Sequence, residues 1–240
     1  YIKKFEDETN LRCQLLVDGS RSMIYGSDSE LTKHDYAATL AATFGYFLMQ
    51  QGDAVGVTRF DDTIRDYLPP RNRPGHLRRL MISLEAPAEG RATDFGIPLE
   101  RVAQMHGRRG MFVLISDLLA PLDTLEARLG FLRARGHEVV VFHILDPCEL
   151  DFNFENAAQF TCLESGKQHF IDPEAARKDY CEKIKAHLEA ASALCQRAGI
   201  EYFFSSTERP FHLALFEFLT ARSQRTASPV RRKTNFQRSS

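Results

Sequence analysis

Two aspartates end apolar runs in this chain, in Leu15-Leu16-Val17-Asp18 and in Val113-Leu114-Ile115-Ser116-Asp117. Asp18 also opens Asp18-Gly19-Ser20-Arg21-Ser22, where alternate positions carry a carboxylate and two hydroxyls. In an extended or tightly turning loop, that i, i+2, i+4 spacing aims all three side chains at one point. Thr93 follows a loop dense in Ala, Pro and Gly and opens a helical pattern. Asp18, Ser20, Ser22, Thr93 and Asp117 are therefore expected to bring five oxygen-bearing side chains from three loops to one rim. Hard cations such as Mg²⁺ take oxygen ligands in near-octahedral geometry and keep a position for water or an outside ligand. Two carboxylates neutralise a divalent ion formally and three hydroxyls add no charge, so the ion stays electrophilic towards an incoming carboxylate. A strand-end aspartate alone reads better as a cap; the full pattern, in order on matching elements, reads as a metal site.

The elements that must position these residues follow from periodicity. Leu11–Val17, Ala54–Phe60, Gly110–Ser116 and Glu138–Leu145 have the length and apolarity of buried strands. Between them, Thr32–Gln51, His76–Leu84, Thr93–His106 and Leu122–Arg135 show helical spacing, with Gly52 and Gly136 suited to left-handed caps. Thr63–Leu68 reads as a short edge strand and Pro69–Gly75 as a loop. Apolar strands alternating with amphipathic helices predict an α/β, Rossmann-like, doubly wound and mostly parallel sheet with helices on both faces. Ligands of such sheets bind beyond the carboxyl ends of the strands, where Asp18 and Asp117 fall. After Asp146 the pattern loosens. Phe160–Leu163 and Gln168–Ile171 could pair across 164–167, Ala175–Ala198 is a long helix, Glu201–Ser205 a last strand and Pro210–Arg222 a closing helix. The expected organisation is one domain over 1–222, with a core of about 10–146 and an extension over 147–222. A basic tail follows over 223–240, expected to be disordered.

The five site residues match, without substitution, the metal-ion-dependent adhesion site (MIDAS) of von Willebrand factor A and integrin inserted domains. That resemblance implies Ser20, Ser22 and Thr93 as direct ligands, Asp18 and Asp117 as direct or water-bridged ones, and a partner's carboxylate completing the shell. A closer resemblance runs through Lys4–Leu11, Gln51–Gly56, Arg109 to Asp117, and Leu145-Asp146-Pro147-Cys148-Glu149-Leu150. These stretches are similar to the bacterial fifty-eighth domain-of-unknown-function family, which has a von Willebrand factor A-like core and travels with MoxR-type AAA+ ATPases. The resemblance fades after about Phe218. It implies a non-catalytic protein-interaction module working with such an ATPase in assembly or maturation of other proteins. That family's Arg-rich upstream segment with an Asp-Trp pair does not precede Tyr1, so the chain is expected to be a piece of a longer protein.

Other chemistries fit less well. No phosphate loop or dinucleotide fingerprint occurs, and Ser20 lacks a nucleophile elbow. Asp117 could be the phosphoacceptor of a receiver domain, but the chain is too long and the serines would go unexplained. The alternative kept open is a metal-dependent hydrolase using Mg²⁺-activated water, with Asp94 or Asp53 as base; His34 and His143 read as structural. Phe152, Phe154, Phe160 and Phe170 read as core beneath the extension rather than a partner surface.

Net charge is −1 over 240 residues, which provides no global field towards nucleic acid or anionic membranes. No apolar run reaches the roughly 18 residues needed to span a bilayer. The cysteines (13, 148, 162, 181 and 195) contain no Cys-x-x-Cys pair, so reduced thiols and a cytoplasmic location are expected. The expected cofactor is Mg²⁺, with Mn²⁺ or Ca²⁺ as substitutes. The expected partner is a protein supplying an acidic side chain.

Overall fold

The computed structural model describes residues 11–27, 31–88, 94–107, 109–153, 158–161, 168–171 and 173–227. Its centre is a six-stranded sheet in the order β3-β2-β1-β4-β5-β8, with β1 Arg12–Asp18, β2 Ala54–Phe60, β3 Ile64–Arg71, β4 Met111–Ser116, β5 Glu138–Leu145 and β8 Glu201–Ser206. All pairings are parallel except that of β3, which runs antiparallel to β2 at one edge. A separate antiparallel pair, β6 Ala158–Thr161 and β7 Gln168–Ile171, forms a small hairpin whose first strand lies two residues earlier than the Phe160–Leu163 expected; residues 162–167 between the strands lie outside the described residues.

Strict alternation along the buried strands divides the core in two. Leu15 and Val17 of β1, Val113 and Ile115 of β4, and Val140 and Phe142 of β5 face α1 (Lys33–Gln50), α2 (His76–Glu85) and α7 (Phe211–Ala227). Leu16, Leu114 and Val141 point the other way, towards α3 (Gly96–Met105), α4 (Leu122–Ala134) and α6 (Pro173–Arg197). With both faces covered, every strand position can be apolar, which is why these segments read as continuous hydrophobic runs. The fold is the α/β, doubly wound, mostly parallel architecture expected.

Helix ends fix where each loop emerges. Thr32 caps α1 in a reciprocal box with Asp35: the Thr32 hydroxyl oxygen accepts from the Asp35 amide at 3.1 Å, and Asp35 Oδ2 accepts from the Thr32 amide at 3.0 Å. At the other end Gly52, with φ of 90°, donates to the Met49 carbonyl while the Asp53 amide donates to that of Leu48. Only a residue free to adopt that left-handed geometry closes the helix this way.

Several boundaries differ from expectation for physical reasons. β3 continues through Pro69 and Pro70 to Arg71, because an edge strand needs no ladder donor on its outer side. Helix α3 opens at Gly96 rather than Thr93, with Phe95 at its cap position and Asp94 Oδ1 accepting from the Gly96 amide at 2.6 Å. Helix α7 runs on to Ala227, into the stretch expected as tail, since the first breaker is Pro229. The rest of that tail, 228–240, lies outside the described residues, as do the motif residues 4–10, Cys162 and Phe154. A short helix, α5 Pro147–Asp151, was not foreseen. Cys13, Cys148, Cys181 and Cys195 are free thiols.

Phe44 of α1 is fully buried and meets the rings of Phe142 and Phe218 at 5.6 and 4.6 Å, joining α1, the sheet and α7. Phe44→Ala is expected to cost about 3–5 kcal/mol in urea unfolding; a loss below about 1 kcal/mol would show that this face repacks freely. On the opposite face, His106 and His137 flank the Phe112 ring at 5.0 and 4.8 Å. Burial holds both imidazoles below their ordinary pKa, helped by Arg12 for His106 and by His106 and Arg135 for His137. The unfolded chain therefore takes up protons below about pH 6.5 that the fold refuses, and stability contributed by these groups falls as pH drops through that value. The melting temperature should fall between pH 7.5 and 5.5, and fall less in His106→Gln/His137→Gln. An equal fall in both proteins would place the acid sensitivity elsewhere.

Candidate metal centre

Asp18 and Asp117 sit at the carboxyl ends of adjacent parallel strands, and both are wholly buried. Asp18 Oδ1 accepts from the Ser20 amide at 2.8 Å, and Oδ2 accepts from the Ser116 hydroxyl at 2.5 Å. The short 3-10 turn Arg21–Ile24 then folds the chain so that Ser20 Oγ and Ser22 Oγ lie 3.1 Å apart. The Ser20 hydroxyl also stands near enough to Asp18, and the Ser22 hydroxyl near enough to Asp117, to favour the ionised form of each carboxyl. A continuous run of polar side chains, Asp18, Ser20, Ser22 and Asp117, thus crosses the rim. Thr93, expected as the fifth member, lies outside the described residues.

The electrostatics of the two carboxylates differ. Burial and the charge of Asp117 push the Asp18 carboxyl up to about 7, against the lowering effect of the Ser116 and Ser20 bonds. Burial also opposes ionisation of Asp117, but the Lys33 ammonium overrides it and holds Asp117 below the usual carboxylate range. Lys33, at the first turn of α1, has no exposed side-chain surface; its Nζ donates to Asp117 Oδ2 at 2.8 Å and to Glu149 Oε1 at 2.6 Å. Sequence reading missed both Lys33 and Glu149. Two signals were available: a lysine placed against the positive end of a helix dipole, and the Asp146-Pro147-Cys148-Glu149 capping-box spacing.

That capping box starts α5. Asp146 Oδ1 accepts from the Cys148 amide at 2.9 Å, and Glu149 Oε2 accepts from the Asp146 amide at 3.0 Å. Asp146 Oδ2 also accepts from the Ser27 amide at 2.8 Å, tying α5 to the loop that carries the serines. The turn after Asp117 is held from the same side. Leu118 is in the left-handed region, with φ of 52°, unusual for a bulky residue. Its amide donates to Ser116 Oγ at 3.0 Å, and its carbonyl accepts from His187 Nε2 of α6 at 3.1 Å.

The donor set suits a hard divalent cation: two buried carboxylates in mutual repulsion, with two hydroxyls between them. Among the described residues no three His, Cys, Asp or Glu side chains gather as a metal cluster, so any cation here would rely on hydroxyl oxygens. The groups considered as catalytic bases are placed otherwise. Asp53 lies at the opposite edge of the sheet, where its Oδ1 accepts from the Leu11 amide at 2.9 Å. Asp94 accepts from the Gly96 amide at the start of α3. His34 Nε2 donates to the Ala86 carbonyl at 3.3 Å, and His143, which burial pushes down to about 4, has Nδ1 2.8 Å from the Tyr202 hydroxyl.

Comparison with known proteins agrees with this architecture. A crystal structure of BatB from Bacteroides thetaiotaomicron superposes with a TM-score of 0.61 at 12% identity, covering 90% of this chain and 100% of that one. An aerotolerance-related membrane protein from Bacteroides fragilis NCTC 9343 gives 0.58 at 15% identity, covering 89% and 99%. At these identities the likeness shows the fold alone. In sequence, the protein of Mycobacterium tuberculosis named Uncharacterized protein Rv1480 is 26% identical over 228 residues, 92% of this chain and 70% of that protein. The family model described as "Protein of unknown function DUF58" matches residues 1–190, and the chain belongs to that family.

Proposed function

We propose that this chain is a non-catalytic protein-interaction module whose rim holds Mg²⁺ through Ser20, Ser22 and Thr93, with Asp18 and Asp117 bonding the ion directly or through water. An acidic side chain of a protein partner takes the remaining coordination position. The observation carrying this reading is the run Asp18–Ser20–Ser22–Asp117, buried except for the half-buried Ser22, in which the repulsion that pushes Asp18 up to about 7 is what a divalent cation would relieve. Exposed Ile24 and Leu119 flank the serine loop and Asp117, supplying apolar contact beside the polar centre. A metal-activated hydrolase is the weaker reading, because Asp53 is remote and Asp94 is committed to a helix amide.

The partner proposed is a MoxR-type AAA+ ATPase in the cytoplasm, acting with this chain in assembly or maturation of other proteins. Family resemblance supports that assignment, and no helix in the described residues is long and apolar enough to cross a membrane.

Mg²⁺ or Mn²⁺ is expected to raise the melting temperature, the stabilisation reaching about 2.7 kcal/mol at a concentration 100 times Kd. The double variant Asp18→Ala/Ser20→Ala should lose that rise. A rise of the same size in the double variant would remove the ion from this rim. Affinity capture with the chain as bait should recover an AAA+ ATPase in Mg²⁺ and lose it in EDTA. Equal recovery under both conditions would separate the partner from the ion.

A further inference from the structure

Lys33 is the most unusual charge in the molecule. A lysine with no exposed side-chain surface stands at the first turn of a helix, where the dipole disfavours it, and both of its carboxylate partners are distant in sequence. One partner is Asp117, a member of the candidate metal rim. The other is Glu149, held in position by the α5 capping box that reaches back to the serine loop through Asp146 and Ser27. Breaking a buried ion pair by removing one member is costly, so the fold holds this ammonium beside the rim.

We propose that Lys33 is a built-in competitor of the divalent cation, an ammonium held on Asp117 by Glu149 that lowers the metal affinity of the rim. The proposal rests on the metal-site reading above. With a cation to relieve their repulsion, Asp18, Asp117 and Glu149 would all be carboxylates and bring three negative charges to one region, and Lys33 returns one positive charge. The remaining two match a divalent ion. Without Lys33 the region would hold an uncompensated carboxylate, and a cation would bind more tightly and offer less positive charge to an incoming acidic side chain. With Lys33 in place, Asp117 is already a hydrogen-bond acceptor for the ammonium and is shared between the two cations. The role of α5 is then to keep the ammonium aimed at the rim: loss of Glu149 removes the second anchor and one negative charge together.

The test is titration of the intact chain with Mn²⁺, read by melting temperature and by calorimetric Kd, in wild type, Lys33→Met, Glu149→Gln and the charge-balanced pair Lys33→Met/Glu149→Gln. Lys33→Met is expected to be less stable without metal, yet to bind Mn²⁺ with a Kd lower by about tenfold or more and to show a larger thermal rise. Glu149→Gln should shift Kd the opposite way, and the pair, with one charge of each sign removed, should lie between the two single variants. A gain in affinity cannot come from structural damage, so the direction separates an electrostatic role from a packing one. If wild type responds to Mn²⁺ and Lys33→Met responds equally or less, with the pair no tighter than Glu149→Gln, the competitor role is overturned while the metal site stands. A response in Lys33→Met where wild type has none would uphold the competition and overturn the metal reading for the natural chain. No response in any of the four proteins would overturn both.

Discussion

Two carboxylates buried side by side at the ends of neighbouring strands repel each other in surroundings too dry to screen them, and the local architecture answers that repulsion. Part of the answer is hydrogen-bond donors: the Ser116 hydroxyl and the Ser20 amide on Asp18, with the Ser22 hydroxyl beside Asp117. Part is the Lys33 ammonium, which favours ionised Asp117 and leaves Asp18 as the carboxyl that resists ionisation. Parallel pairing of β1 with β4 makes the arrangement unavoidable, because it aligns the two strand ends on one side of the sheet. A one-residue slip of either strand would exchange its buried faces, so the same hydrophobic alternation that builds the core also fixes the spacing of the two acids.

How much of this was readable in the residues depended on how local each determinant is. The buried strands were readable because both faces of the sheet are covered, so Met111–Ile115 and Val139–Phe142 run without a polar interruption. Gly52 was readable as a left-handed cap because its role is completed by Met49 and Leu48 a few positions away. The D-x-S-x-S loop was readable for the same reason, its geometry being a property of five consecutive residues. Boundaries went astray where context overrode a local rule, as at Pro69 and Pro70, tolerated because β3 is an edge.

Lys33 was not readable as a site residue, since its partners lie 84 and 116 positions along the chain. Each end of that contact also has a blander local explanation. Thr32 and Asp35 already account for the start of α1, and Asp146 with Glu149 already account for the start of α5. Two capping boxes concealed a long-range ion pair between a neighbour of one and a member of the other. Thr93 shows the complementary case: its assignment came from the resemblance and from its place before a helical pattern, while the helix itself is opened by Asp94 and Gly96.

The segment after β5 takes on a physical role that its loose periodicity did not suggest. Three of its contacts fall on the rim: Asp146 on the amide of Ser27, Glu149 on Lys33, His187 on the carbonyl of Leu118. The last of these matters most for shape, because Leu118 occupies a backbone conformation that costs a bulky residue of order 1–3 kcal/mol and persists only where its surroundings over-determine it. Its amide and carbonyl are both held, by Ser116 and His187, and its side chain is wholly buried. The extension therefore braces the rim from two directions, through the ion pair of Glu149 with Lys33 on one side and the strained turn at Leu118 on the other.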